Sequence, residues 1–191
     1  GANRISIPLV FGGYSGWTTT ITVQNTDSAK AAQVSLSLYA TGTSDAAMTK
    51  TVSLSPLASA YFNLGGSDFG DLGSSFLGSA VITSEVPITA VAQSAKRTSA
   101  ADLLVILPNS SGGARRFHAP LVYKNYSPNN TSGWTSGINV QNLGDTEDEV
   151  KLTFTRANGT GVVTKTRKIP ARSFGNFYMP EFSDIPDGSY G

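Results

Sequence analysis

The sequence has no cysteine, a single histidine and few charges, with Lys, Arg, Asp and Glu making up 14% of its 191 residues. Without cysteine there is no disulfide framework and no thiolate chemistry, and one histidine leaves a zinc cluster short of its ordinary ligands. A Ser-His-Asp triad would have to recruit His118, yet no nucleophile-elbow motif accompanies it. No glycine-rich stretch has the strand-to-helix setting of a phosphate loop, and no apolar run approaches the length of a membrane-spanning helix. Net charge is +1, with five basic and six acidic residues up to residue 112 and nine and seven after it. Neither balance makes a phosphate-tracking surface, so no nucleic-acid partner is expected. No cofactor and no catalytic residue is expected either.

What the sequence has instead is itself, twice. Ala2-Asn3-Arg4-Ile5-Ser6-Ile7-Pro8-Leu9-Val10-Phe11 returns as Ala114-Arg115-Arg116-Phe117-His118-Ala119-Pro120-Leu121-Val122-Tyr123. Gly16-Trp17-Thr18 through Val23-Gln24-Asn25 returns as Gly133-Trp134-Thr135 through Val140-Gln141-Asn142. Phe69-Gly70-Asp71-Leu72 with Gly78 returns as Phe182-Ser183-Asp184-Ile185 with Gly191, but the first copy continues through Ser79–Thr83 and Val86–Ala92 where the second has no counterpart. Duplication of this length implies two modules, residues 1–112 and 113–191, the second incomplete or completed by a partner chain.

Within each copy the apolar period is two. Trp17, Ile21 and Val23 share one strand face opposite Thr18, Thr20, Thr22 and Gln24; Trp134, Ile138 and Val140 repeat the pattern. Val34, Leu36 and Leu38 alternate with serines, as Val150, Leu152 and Phe154 do with Lys151 and Thr153. Further strands are expected at Thr51–Leu54, Ala60–Leu64, Ser79–Thr83, Ile88–Ala92 and Leu103–Leu107. Asn158-Gly159 between two such runs signals a hairpin. Pro8 and Pro120 cannot donate to a ladder and mark a first or edge strand. The predicted fold is all-β: tandem antiparallel β-sandwich domains, immunoglobulin-like in general architecture, with the second copy lacking its final strands.

The chemistry-bearing candidates are few. Asp145, Glu147, Asp148 and Glu149 form the densest acidic group but lack calcium-loop spacing, so a solvated turn is expected. Gln24-Asn25 and Gln141-Asn142 end the best strands, where Asn can bond the backbone two residues on and start a turn. Trp17 and Trp134 have core parity, which favours packing over sugar stacking. Asn109, Asn125, Asn129, Asn130 and Asn158 each head an Asn-x-Ser/Thr glycosylation triplet in an expected loop, linker or turn. Tyr126 and Trp134, beside the insertion around Asn129–Ser132, outline a ligand or assembly surface. Phe174, Phe177, Met179, Phe182 and Ile185 outline another, since the strands that would cover them in the first copy are missing from the second.

The Ile-Pro-Leu-Val, Gly-Trp-Thr, Val-Gln-Asn and Gly-Ser-Ala-Val-Ile-Thr-Ser segments resemble the tandem β-sandwich repeats of large exported surface or filament proteins of bacteria. The resemblance implies scaffold roles for Pro8, Leu9, Val10, Gly16, Trp17, Gln24 and Asn25, and for Pro120, Leu121, Val122, Gly133, Trp134, Gln141 and Asn142. It further implies an extracellular or cell-surface location. Together with low charge and hydroxyl-rich strand faces, it points to a non-catalytic structural subunit of a filament or surface layer whose partners are copies of itself or adjacent repeats. A carbohydrate-binding or adhesive module contacting surface glycans is the alternative.

Overall fold

The computed structural model describes residues 1–97, 102–107, 110–128 and 133–191. It is nearly all β, and every pairing between strands is antiparallel. Helical structure among the described residues is confined to short 3-10 turns at Tyr14–Gly16, Ser67–Leu72 and Met179–Glu181.

The first half forms one barrel-like sheet from β1 (Ala2–Gly12), β2 (Trp17–Asn25), β3 (Ala32–Ala40), β4 (Ala46–Leu54), β5 (Ser59–Asn63), β6 (Phe76–Arg97) and β7 (Asp102–Leu107). Its centre is β6. Residues 78–83 of this 22-residue strand lie between β1 and β3; residues 88–96 pair with β2, and residues 92–97 pair with β7. Ser79–Thr83 and Ile88–Ala92, expected as separate strands, are therefore one strand that changes partners. The change falls at Glu85-Val86-Pro87, where proline has no N–H to give the ladder and its carbonyl instead accepts the Thr26 N–H at 3.0 Å. Alternation then directs Ala80, Ile82, Val86, Ile88, Ala90 and Ala92 into a core shared with Ile21, Val23, Val34 and Leu36. Pro8 lies in the first strand, as expected: β1 pairs with β6 on one side, and Pro8 sits where the register slips between Ile7↔Ala80 and Val10↔Gly78, a bulge that dispenses with its missing donor.

The second half contains β8 (Tyr123–Lys124), β9 (Gly137–Gln141), β10 (Asp148–Thr155), β11 (Val162–Ile169), β12 (Phe174–Tyr178) and β13 (Ser189–Tyr190), paired as β8–β13, β9–β12 and β10–β11. The β10–β11 hairpin turns at Asn158-Gly159 as expected; Asn158 Oδ1 accepts the Thr160 N–H at 3.0 Å and Gly159 takes φ 76°. A separate apolar cluster joins Val122, Phe154, Phe177, Met179, Phe182 and Ile185.

That cluster corrects an expectation. Phe174, Phe177, Met179, Phe182 and Ile185 are all buried by the chain itself rather than left wet. The cause is a closure the first half does not use: Lys124, the counterpart of Gly12, is buried, and its Nζ donates to the Phe182 and Ile185 carbonyls at 2.7 Å each. The loop after β12 is thereby tied over the phenylalanines, and unmet carbonyls are supplied with charge-assisted partners.

Candidate functional site

The strand ends carry the same clasp in both halves. Asn25 Nδ2 donates to the carbonyls of Lys30 (2.8 Å), Leu54 (3.3 Å) and Ser55 (3.1 Å), while its Oδ1 accepts the Asp27 N–H at 2.9 Å. Asn142 Nδ2 donates to Thr146 (2.7 Å), Ile169 (3.0 Å) and Pro170 (3.3 Å), and its Oδ1 accepts the Gly144 N–H at 2.8 Å. Both asparagines are buried, so these bonds satisfy groups that could not otherwise be hydrated. The role is the turn-forming one expected from sequence. Next to it, Leu57 (φ 60°) and Arg172 (φ 62°) share a left-handed backbone and accept side-chain bonds from Gln24 and Gln141 respectively.

The halves part company where β6 would run. In the first half Phe11 pairs with Leu77, Gly12 with Phe76 and Val10 with Gly78. In the second, Tyr123 pairs with Tyr190 and Lys124 with Ser189, and Val122 exchanges backbone bonds with Gly191 at 2.7 and 3.0 Å. The flanking bond is reproduced too: Thr41 N–H donates to Leu77 O at 3.2 Å and Ala157 N–H to Tyr190 O at 3.0 Å. Gly78 and Gly191 fill equivalent places, since a Cβ on either would collide with a carbonyl, that of Tyr39 or of Thr155. So β13 is the first step of a β6-like strand, in register.

The rest of that lane holds no strand among the described residues. Residues 111–121, the counterpart of most of β1, form no strand among the described residues and are all exposed, Phe117 at 68% and Leu121 at 54%. β10 pairs only with β11 and β9 only with β12, whereas β3 and β2 are each flanked on both sides. The inward side chains register the loss: Ile21, Val23, Val34 and Leu36 are 0% exposed, but Ile138, Val140, Val150 and Leu152 are each partly exposed. A cavity of about 370 Å³ lies alongside, lined by Leu121, Val122, Gly137 and Ile138 and walled by Pro8 and Leu9 of the first half.

At the neighbouring end lies an aromatic group. Tyr126 stacks on Tyr123 (centroids 5.4 Å, planes at 13°) and approaches Tyr190 (4.7 Å), and its backbone exchanges two bonds with Trp134. Trp134 is 67% exposed, contrary to the core position its parity suggests. Trp17 is held between Phe11, at 6.0 Å, and a ladder pairing with Lys96 of β6; among the described residues Trp134 has no β6 counterpart beside it. Asn125 and Asn158 are exposed in a loop and a turn, while Asn109, Asn129 and Asn130 lie outside the described residues.

The basic run of β11 and the turn after it is engaged in ion pairs. Lys165, Arg167, Lys168 and Arg172 pair with Asp184 (2.7 Å), Glu181 (3.2 Å), Glu147 (3.5 Å) and Asp145 (2.6 Å), which occupies both the basic run and part of the acidic turn. The Lys165 ammonium holds the Asp184 carboxyl below its ordinary value, and the Ala29 and Lys30 N–H groups do the same for Asp27. Among the described residues no three His, Asp or Glu side chains converge on a metal-sized site. His118 is exposed. The sequence reading missed Lys124, which resembles any solvated strand lysine, and the Lys165–Asp184 pair.

No protein-family model and no curated protein matches the chain. Among solved structures it is similar to the crystal structure of Thermotoga maritima 1070, at 18% identity and a TM-score of 0.45 over 59% of this chain and 98% of that one. No helix among the described residues is long and apolar enough to cross a membrane.

Proposed function

We propose that this chain is a non-catalytic structural subunit of an extracellular filament or surface layer, built from two β-sandwich repeats of immunoglobulin-like general architecture, residues 1–112 and 113–191, and assembled by strand complementation. The observation that carries this reading is that β9 and β10 each pair along one side only among the described residues, with partly exposed core residues along them. Unpaired strand edges beside apolar side chains are a liability in a solitary molecule and an attachment point in an assembly. The low charge and hydroxyl-covered strand faces suit close packing between subunits. Its partners on this reading are copies of itself or adjacent repeats. Electron microscopy of native material together with sedimentation of the purified chain tests it: ordered filaments or sheets are expected, and a chain that stays monomeric at all concentrations with no assembled form in native material would sink it.

The second reading, a carbohydrate-binding or adhesive module, is favoured by the exposure of Trp134 beside Tyr126. Aromatic faces stack on sugar rings. A glycan array with Trp134→Ala as control tests it; binding that survives the substitution, or no binding to any glycan, removes it.

A further inference from the structure

The two halves treat the outer strand of their hairpins alike. Among the described residues β4 pairs only with β3 and β11 only with β10, so each leaves one row of backbone N–H and C=O groups unpaired. Such an edge is a template for another strand. The sequence of β4, Ala-Ala-Met-Thr-Lys-Thr-Val-Ser-Leu, suits that use but for its one charge, Lys50, at the centre of the strand. Alternation puts Lys50 on the inner face with Met48, Val52 and buried Leu54, while Thr49, Thr51 and Ser53 face out and are exposed. It stands opposite Leu36, and its Nζ lies 5.9 Å from the centre of the buried Phe69 ring. In β11 the same place, opposite Leu152, is held by Lys165, whose Nζ lies 5.4 Å from the centre of the buried Phe182 ring. Two positions on, Arg167 faces the Phe177 ring at 5.5 Å. Thr49-Lys50-Thr51 and Thr164-Lys165-Thr166 match in sequence, as do Phe69 and Phe182. A charge on the inner face of the outer strand, set over a core ring, is therefore present in both copies.

We infer that Lys50, and Lys165 together with Arg167, are guards: they keep β4 and β11 from accepting a further strand, whether from another molecule or from elsewhere in the same one. The reason is access to water. With the edge open, each long side chain lays its stem against a ring while the charged head stays at the rim; Lys50 is partly exposed, and the Lys165 and Arg167 side chains are 30% and 39% exposed. A strand laid along the edge would close that rim and take the charge out of water. Burying an ion without a new partner is strongly unfavourable, whereas each added backbone bond returns only a modest net gain. In β11 the rim also holds the carboxylates of Asp184, 2.7 Å from Lys165, and Glu181, 3.2 Å from Arg167, which a new strand would have to desolvate with them. The inference goes beyond the subunit reading and does not depend on it: it states which edges any assembly of this chain leaves unused.

Sedimentation velocity and amide exchange on the 191-residue chain and its variants test this. Lys50→Val, and Lys165→Val combined with Arg167→Val, should sediment faster than the parent as concentration rises. In the associated form, amides on the unpaired side of β4 or β11 respectively should exchange more slowly by about tenfold or more. Lys50→Glu gives up the ring contact but keeps a charge at the same place, and should behave like the parent; so should Lys50→Arg. Native assemblies should leave the unpaired sides of β4 and β11 exchanging as in the free chain. Valine variants that associate no more than the parent, or whose new protection lies outside β4 and β11, would overturn the inference. So would Lys50→Glu associating as readily as Lys50→Val, or a native assembly that protects either edge. Loss of protection throughout a half in its valine variant would also overturn it, since the cation would then hold the fold together rather than guard its edge. A chain that forms no assembly under any condition removes the subunit reading alone, and the variants still decide the guards.

Discussion

Leu36 and Leu152 occupy matching places on matching strands, yet one is sealed and the other is partly exposed. Both alternate with polar neighbours, and both pair with a following antiparallel strand, β4 or β11. The difference lies in a third element, β6, whose counterpart among the described residues is only the short β13. Local pattern decides which face of a strand turns inward; a strand distant in sequence decides whether that face is dry.

The sharpest way to break the comparison is to truncate both leucines. Leu36→Ala should cost about 2–5 kcal/mol, the range for a buried leucine that leaves a cavity, and Leu152→Ala should cost clearly less because water already reaches the site. Denaturant unfolding of each variant measures this. Equal losses would mean that the second half buries Leu152 in solution by some other route.

Lys124→Met comes next. It removes two bonds from a buried ammonium to the Phe182 and Ile185 carbonyls, and a loss of about 2–3 kcal/mol is expected for charge-assisted bonds at a buried site. Amide exchange over residues 179–185 should accelerate, while the first half, with Gly12 at this place, stays unchanged. A variant whose loop remains as protected as before would show that apolar packing alone holds it.

The clasps should behave alike where the lanes do not. Asn25→Ala and Asn142→Ala each strand several backbone groups, and each should destabilise its own half by about 1–2 kcal/mol, read by urea denaturation with a probe in each half. A strong asymmetry between them would mean that the turns depend on the completed sheet.

The smallest effect concerns acid. Asp184 and Asp27 have folded-state values below the ordinary 3.8, so the stability they contribute is present above the unfolded value and is lost as pH falls through the lower folded one. Lys165→Met should return the Asp184 midpoint toward 3.8, as followed by carboxyl NMR, and leave Asp27, which is held by backbone N–H groups, where it was.

Much of this was legible in the residues. Period-two alternation gave the strand faces, Asn158-Gly159 the hairpin and Gln-Asn the turn clasps, because each depends on neighbours a few positions apart. The continuous β6 was not legible, since Glu85-Val86-Pro87 reads as a break, and only its two sets of partners make one strand of it. Nor was the exposure of Trp134, whose parity is right but which has no flanking strand among the described residues. Lys124 was hidden for a similar reason: its acceptors lie some sixty positions away, at Phe182 and Ile185. The expected wet face over Phe174–Ile185 failed on that lysine, and the exposure fell instead on Val150 and Leu152.

The corner at Arg172-Ser173 has one more consequence. Ser173 Oγ donates to the Ala40 carbonyl and accepts the Gly42 N–H, each at 3.2 Å, and Arg172 O accepts from Ser79 Oγ at 3.2 Å, so the second half is seated on the first by its turn after β11. The matching corner of the first half ends in Leu57, which has the same left-handed backbone and is 56% exposed. The joint is between unlike surfaces, a corner and a strand end, and such a joint repeated by a constant rotation and rise advances along an axis unless the rotation happens to close a ring. One such joint is present between the two halves, and at the matching corner of the first half Leu57 stands exposed.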